Sequence, residues 1–421
     1  METREAKRWV GLDWGDARHA VCVLDDSGKE VESFEAPHTA AGLEELVARL
    51  RRCGEIAGVA VETTRHLVVH KLLQEGFAVY PINPKLSKCW RDGESVNAPK
   101  DDPRDAFVLA EGLRQRHERL RALKPDEPLL RELRLLCADE CRLIQDRTAL
   151  VNRLKATLKE YYPEALEWFD DWTKPTSWDF VLAFPDAEAL AAAGRKKLYG
   201  FLKSHRIGLH PIWQERVEGR AKRTPWPSDP PTVAAKSFLA ISLAKGLRTL
   251  HASLDEYRER IEKLYGDQPD SGLFSSLPGA GPKLAPRLLT HFGTDRQRFD
   301  SSADLELLSG AVPVMRQSGK SRRVHMRHAC RKDFRTALHH LAFLSMERSA
   351  WARAFYEQAR RAGQSFALAL RNLARKWLRI LYRMWQDRRP YDEGRYLAAL
   401  IRRRSPLVHE IQNLQPLTTS G

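Results

Sequence analysis

The order in which the hydrophobic period changes along the chain constrains its fold more than any other feature. Residues 8 to 36 hold three short strand-like runs, "RWVGLDWG", "HAVCVLDD" and "KEVESFEA", joined through "GDAR" and "DSGK". Gly, Asp and Ser in such short connections favour tight turns, so consecutive hairpins are predicted. The next segment, "TAAGLEELVARLRRC", places Leu43, Leu46, Val47 and Leu50 on one face of a helix. A strand "IAGVAVE", a helix "RHLVVHKLLQEG", a strand "FAVYPIN", a short helix from Pro84 and a helix from Pro103 to about Arg119 follow. Three hairpin strands and then alternating helix and strand give the order of a ribonuclease-H-like α/β sheet, which carries its acids at strand ends and on a neighbouring helix.

From Leu129 onward the period becomes seven. Leu129, Leu136, Leu143 and Leu150 form one seam, and Leu133, Leu154 and Tyr161 the other, which Glu140 and Arg147 interrupt. A second stretch keeps the 4–3 rhythm through Leu243, Leu247, Leu250, Leu254, Tyr257, Ile261 and Leu264. These predict a helical coiled-coil middle, either an antiparallel hairpin within the chain or a dimer contact. Between them lies a Trp-rich stretch with Trp168, Trp172, Trp178 and Trp213, closing on the linker-like "RTPWPSDPPT". No chemistry is assigned to it. The last third is predicted to be mainly α. It opens on "LFSSLPGAGPKLAPRLLTHFG", where Gly-x-Gly between two helices suits a helix-hairpin-helix or a plain helix turn. Its closing helix offers Phe366, Leu370, Leu373, Trp377, Leu381 and Trp385 as core. At 421 residues, several domains are expected. They are an α/β domain over 1–124, coiled-coil helices over 125–162 and 236–268, a Trp-rich insertion over 163–235, a C-terminal domain over 269–390 and a tail over 391–421.

Charge narrows the partner. Lys and Arg outnumber Asp and Glu by 70 to 55, a net +15, which favours a polyanion such as nucleic acid. The excess is densest in "VPVMRQSGKSRRVHMRHACRKDFR". There Arg316, Lys320, Arg322, Arg323, Arg327, Arg331, Lys332 and Arg335 meet the single acid Asp333. A solvated face normally mixes signs, so phosphate contact is predicted. The six cysteines form no CxxC pair and no zinc-ligand spacing, and read as buried free thiols of a reducing cytoplasm. "METREAKRWVGLDWG" lacks an apolar signal core and no run approaches a membrane span, so a cytosolic protein without membrane contact is expected.

Four acids stand out. Asp13 sits between glycines in "GLDWG", and Glu62 ends the apolar strand in "VAVETT". In "NAPKDDPRDAFVLAEGLR" (Asn97 to Arg114), Asp102 reads as helix N-cap, Pro103 as the first helical residue and Asp105 as a first-turn acid. The i, i+3 spacing lets Asp102 and Asp105 both face inward, while Asp101 points elsewhere. Carboxylates ending apolar strands are costly to bury unpaired, and several converging ones repel unless cations lie between them. Hard oxygen donors of this kind suit Mg²⁺ (or Mn²⁺) with substrate phosphate completing the shell. Capping and metal binding are compatible at this helix start.

Asp13, Glu62 and "KDDPRDA" (Lys100 to Ala106) resemble the DEDD signature of the IS110 (IS116/IS902) insertion-sequence transposases, with Asp101 in the usual Thr/Ser place. "LPGAGPKLAPRLLTHFG" and "FDSSADLELLSGAVPVMRQSGKSRR" resemble the second domain of that family. The resemblance implies a RuvC-like N-terminal domain and a bacterial, nucleoid-associated recombinase directed by a structured non-coding bridge RNA that pairs with donor and target DNA. It implies that a serine in "QSG", here Ser318, attacks DNA to form a phosphoserine link, with Asp13, Glu62, Asp102 and Asp105 binding Mg²⁺ close by. On its residues alone Ser318 also reads as a turn residue, and Ser309 in "LLSG" is the nearest rival nucleophile. The competing mechanism is a metal-dependent junction endonuclease using water. A dimer or tetramer joined through the heptad helices is expected, since exchange of four strands needs several protomers.

Overall fold

The computed structural model describes residues 7–64, 66–94, 101–124, 127–208, 210–219, 226, 229–319 and 321–413; the side chains of 94, 316 and 322 are outside that description. The predicted phosphate contact Lys320 therefore lies outside the described residues, as do the side chains of Arg316 and Arg322. The chain divides into two compact units, Met1–Pro125 and Asp126–Gly421.

The first unit is a mixed α/β sheet. Strands β1 (Arg8–Trp14), β2 (Arg18–Asp25) and β3 (Glu30–Pro37) pair antiparallel. Helix α1 (Ala40–Arg52), capped by the Thr39 hydroxyl on the Gly42 amide, crosses to β4 (Ile56–Val61). Helix α2 (Leu67–Gln74) leads to β5 (Val79–Pro81), followed by α3 (Pro84–Glu94) and α4 (Asp102–Arg116). The order β3-β2-β1-β4-β5, with β4 parallel to β1 and β5 parallel to β4, is compatible with the RuvC-like expectation. Strand alternation divides the core between two faces. Val10, Leu12, Val21, Val59 and Val61 pack toward α1 and α2, while Trp9 and Ala60 pack with Val108, Leu109 and Leu113 of α4.

The second unit is helical. Long α5 (Pro128–Tyr161) is followed by α6 (Pro175–Ala183), α7 (Ala187–Ala192), α8 (Arg195–Ser204) and α9 (Pro211–Gly219), then by long α10 (Pro230–Gly266). Ion pairs Glu132–Arg260, Glu140–Arg258 and Glu160–Lys236 set α5 and α10 antiparallel. The seam of α5 differs from the expected one by a residue. Leu130, Cys137, Val151 and Leu158 are buried with Leu133, Leu154 and Tyr161, whereas Leu129 is 48% exposed. The apolar seam is thus taken up between α5 and α10 inside one chain, the hairpin alternative of the expectation. Trp168, Trp172, Trp178, Phe180 and Phe184 of the Trp-rich stretch build a separate core on one end of this helix pair.

The remainder is α11 (Ser271–Ser275), α12 (Gly281–Phe292), α13 (Ser302–Ser309), the hairpin β6 (Val314–Ser318) and β7 (Ser321–His325), α14 (Lys332–Ser345), α15 (Ala350–Arg361), α16 (Phe366–Asp387), α17 (Glu393–Arg402) and α18 (Leu407–Gln412). Gly279 and Gly281, at φ +82° and +47°, turn the chain between α11 and α12. Leu370, Leu373, Trp377, Leu381 and Trp385 are core as predicted, but Phe366, at the first position of α16, is 50% exposed. Beyond residue 390, the segment read as a tail adds Leu400 and Leu407 to that same core. Among the cysteines, Cys22 and Cys137 are buried, with thiols pushed up to about 12 by desolvation, while Cys89 is exposed rather than buried. Among the described residues no helix is long and apolar enough to cross a membrane.

Candidate active site

The acid edge of the first unit is set by strand register. Leu12 pairs with Val61, so Asp13 and Glu62 occupy neighbouring positions where parallel β1 and β4 end. Asp13 shares its parity with Trp9 and Gly11, and Glu62 with Ala60, which puts both on the face covered by α4. Helix α4 reaches that face because of Gly11. A Cβ there would lie 1.9 Å from the Ala106 carbonyl oxygen, so only glycine lets the helix seat directly on the strand. Gly15 is needed in the same way, since a Cβ there would lie 2.6 Å from the Arg18 carbonyl oxygen. Seating α4 at Ala106 brings the adjacent Asp105 to the same edge, where it is buried with Oδ1 2.6 Å from Arg91 Nε of α3. The Glu62 carboxylate accepts a hydrogen bond from buried Ser87, one turn before Arg91 on α3.

The start of α4 corrects the sequence reading in two ways. Asp101, not Asp102, is the N-cap, its side chain accepting from the Arg104 amide at 2.9 Å. Asp102 is the first helical residue and is exposed, so it does not face inward with Asp105. The closest approach to Gly11 is at Ala106, and residues 101–103 before it are exposed. Asp13, Glu62 and buried Asp105 lie along this edge, and Asp102 stands exposed at the helix start beside it. Among the described residues, no three His, Cys, Asp or Glu side chains come close enough together to hold a metal ion. Ser87 and Arg91 were not singled out by sequence. Their i, i+4 spacing on α3 was the only available signal.

On the opposite face, His19 is buried with Nε2 2.8 Å from His38 Nδ1, and Trp14 stacks on His66 at 3.8 Å. Burial, and then the neighbouring His38 and His66, lower the His19 pKa to about 4.

In the second unit, Ser318 ends β6 and faces Ser321 across the tip of the β6–β7 hairpin. It is exposed, and Gly319 turns the chain at φ +54°. Ser309 is fully buried, and its hydroxyl donates to the Glu306 carbonyl at 3.3 Å. Its burial sets it apart from the exposed Ser318. The basic stretch splits in role. Arg323 and Lys332 are exposed, whereas Arg327 donates to the Val312 carbonyl and Arg335 to the Ser309 carbonyl, tying down the segment that follows the hairpin. Arg331 lies 3.4 Å from Asp333.

Residues 10–163 match the model of the IS110-type DEDD transposases, and residues 271–357 match the transposase IS116/IS110/IS902 family. The chain is similar to the mini-circle putative transposase for IS117 of Streptomyces coelicolor, with 29% identity over 93% of this chain and 97% of that one. It is 26% identical to an uncharacterized 44.8 kDa protein of insertion element IS116 from Streptomyces clavuligerus, over 92% of this chain and 97% of that one. A putative transposase of Sinorhizobium fredii is 32% identical over 47% of this chain and 57% of that one. Two family matches that together span more than half of its length, with similarity running nearly end to end, establish that the chain belongs to the IS116/IS110/IS902 family of transposases, enzymes that cleave and rejoin DNA.

Proposed function

We propose that this transposase cuts and exchanges DNA strands through a phosphoserine link on Ser318, assisted by the acid edge of a RuvC-like domain and directed by a structured guide RNA. The observation that carries the reading is the exposure of Ser318 at the tip of a basic hairpin within the matched family segment, against the complete burial of Ser309. An exposed hydroxyl beside glycine meets a phosphate without moving the core. Its oxygen bonds to phosphorus as the phosphorus–oxygen bond to the departing strand end breaks, and the hydroxyl proton leaves to a base. The bond energy stays in the phosphoserine, so the reverse attack rejoins a strand. Arg316, Lys320, Arg322 and Arg323 are the assigned partners of the scissile strand, with Arg331 and Lys332 beside them.

Asp13, Glu62 and Asp105 are hard oxygen donors of the type that Mg²⁺ or Mn²⁺ takes, although as they stand they are too far apart to close around one ion. Arg91 already sets a positive charge against Asp105, as expected where carboxylates gather. Asp102, exposed at the helix start, is the outer member. When bound, a divalent cation would offset phosphate charge at the reacting strand. Guidance by RNA rests on the family resemblance and the +15 charge; exchange between four strands calls for a dimer or tetramer.

Trapping the covalent adduct tests the serine. Wild-type protein with Mg²⁺ and donor DNA is expected to give a protein–DNA adduct that Ser318→Ala lacks. An undiminished adduct in Ser318→Ala, or cleavage without any adduct, would favour water as the nucleophile. Glu62→Gln and Asp102→Asn test the acids: recombination equal to wild type in both would make those carboxylates structural.

A further inference from the structure

Helix α16 buries one face in the core and carries a second pattern on another. Arg371, Arg375, Arg379 and Arg383 recur at four-residue steps. At 1.5 Å per residue this is a cation about every 6 Å along roughly 18 Å of helix. Beside this row, α16 and α17 enclose a groove of about 1250 Å³. Eight of its nineteen lining residues are Lys or Arg and two are Asp, which is not the mixed surface of an ordinary solvated helix.

Part of this charge is held in place from below. Glu306 of α13 is buried and accepts from Arg375 Nε at 2.8 Å and Arg379 Nε at 2.7 Å. A guanidinium fixed through Nε still presents its terminal donors, so one carboxylate positions two arginines while offsetting only one of their charges. Lys376 lies 4.6 Å over the Phe355 ring, and burial lowers its pKa. On the other wall Arg395, Arg402 and Arg403 are exposed, and among the described residues none of them pairs with an acid. Arg383 pairs with Asp387 at 2.8 Å, yet the cations around this concave surface outnumber their acids, so they repel one another and attract a polyanion. The aromatic residues of the lining are engaged elsewhere. The Tyr391 hydroxyl accepts from Trp351 Nε1 at 2.7 Å, and Tyr396 packs on the Trp351 ring. The groove therefore offers charge rather than a surface for base stacking.

We propose that the groove between α16 and α17 is a nucleic-acid contact separate from the β6–β7 hairpin, gripping the phosphodiester backbone of a strand laid along the arginine row without regard to sequence. This rests on the family's handling of DNA and not on the serine chemistry, so binding is measured in Ser318→Ala protein as well as in wild type.

The full-length chain is titrated against a random-sequence duplex DNA and a random-sequence RNA stem-loop over a range of salt. Replacing Arg383, Arg395 and Arg402 together by Gln is expected to reduce the salt slope on duplex DNA by roughly 2 to 3, since each phosphate contact contributes about 0.9. Affinity near physiological salt should fall about tenfold or more, equally for unrelated sequences. Loss on DNA alone or on RNA alone identifies the strand that occupies the groove; loss on both means that the groove takes either. The charge-keeping Lys triple at the same positions is expected to retain the slope. Should the Gln triple not fold by thermal melting, Arg402→Gln alone is expected to lower the slope by about one. Unchanged binding to both probes would overturn the proposal. So would an equal loss when exposed Lys196, Lys203 and Lys245 are replaced by Gln instead, or loss of the slope in the Lys triple.

Discussion

Asp105 and Ser318 differ first in what holds them. Asp105 is buried on a helix that lies directly on β1, with Arg91 against its carboxylate and the neighbouring Glu62 held by Ser87. Ser318 stands exposed at the end of a two-stranded ladder whose paired Met315 and Val324 are 56% and 63% exposed. An isolated two-stranded hairpin is marginal in water, so its shape depends on what it packs against. The fold thus sets the acids in advance and leaves the hydroxyl on an element that a bound nucleic acid can complete. The exposed apolar pair on the hairpin fits that division.

The largest predicted effect comes from the exposed side of the comparison. Ser318→Ala should lower strand cleavage by roughly 10⁴-fold or more, the scale seen when a covalent nucleophile is removed, while leaving thermal stability within about 0.5 kcal/mol. A parallel loss of stability would show that the hairpin tip is structural. Next are the glycines, one in each region. Gly11→Ala forces the Ala106 carbonyl away and should destabilise the first unit by about 3 kcal/mol, displacing Asp105 and lowering cleavage with it. Gly319→Ala, at φ +54° in open space, should cost only about 1 kcal/mol. Equal costs in denaturant melts would erase the distinction between a packed edge and a free tip.

A third test uses pH. His19 titrates near 4 in the fold against 6.5 for the ordinary side chain, so between those values the unfolded chain binds the extra proton. Its contribution is complete above 6.5 and is lost as pH falls toward 4. The loss amounts to about 2 kcal/mol by roughly pH 5. His19→Gln should flatten this pH dependence in urea melts of the full chain; an unchanged slope would mean that His19 does not carry it. The smallest effect separates neighbouring aspartates. Asp101→Ala removes a helix cap and should cost about 1 kcal/mol with cleavage retained, whereas Asp105→Asn should reduce cleavage well beyond its effect on stability. Loss of cleavage in Asp101→Ala would assign the cap residue a role in the chemistry.

Much of this was legible in the chain. Short apolar runs bounded by turn residues marked every strand of the first sheet, and a carboxylate at the end of an apolar strand announced itself by its cost. What failed did so where local chemistry gives equal answers. Two adjacent aspartates before a proline have the same capping preference, and only the helix start chose Asp101. On α5, the series Leu129, Leu136, Leu143 and Leu150 and the series beginning at Leu130 and Cys137 are both apolar at seven-residue spacing. Only the packing of α10 and α12 against α5 selected the second.

The sequence by itself determined the elements of the first unit and their order, the acids at the strand ends and the basic segment around Ser318, because periodicity, strand-end cost and charge are properties of neighbours along the chain. The tertiary structure alone decided that Asp105 and not Asp102 faces the edge, that Arg91 and Ser87 stand against the acids, and that Ser309 is sealed while Ser318 is open. Those outcomes depend on which surfaces exclude water, and that is fixed only when residues far apart in the chain pack together.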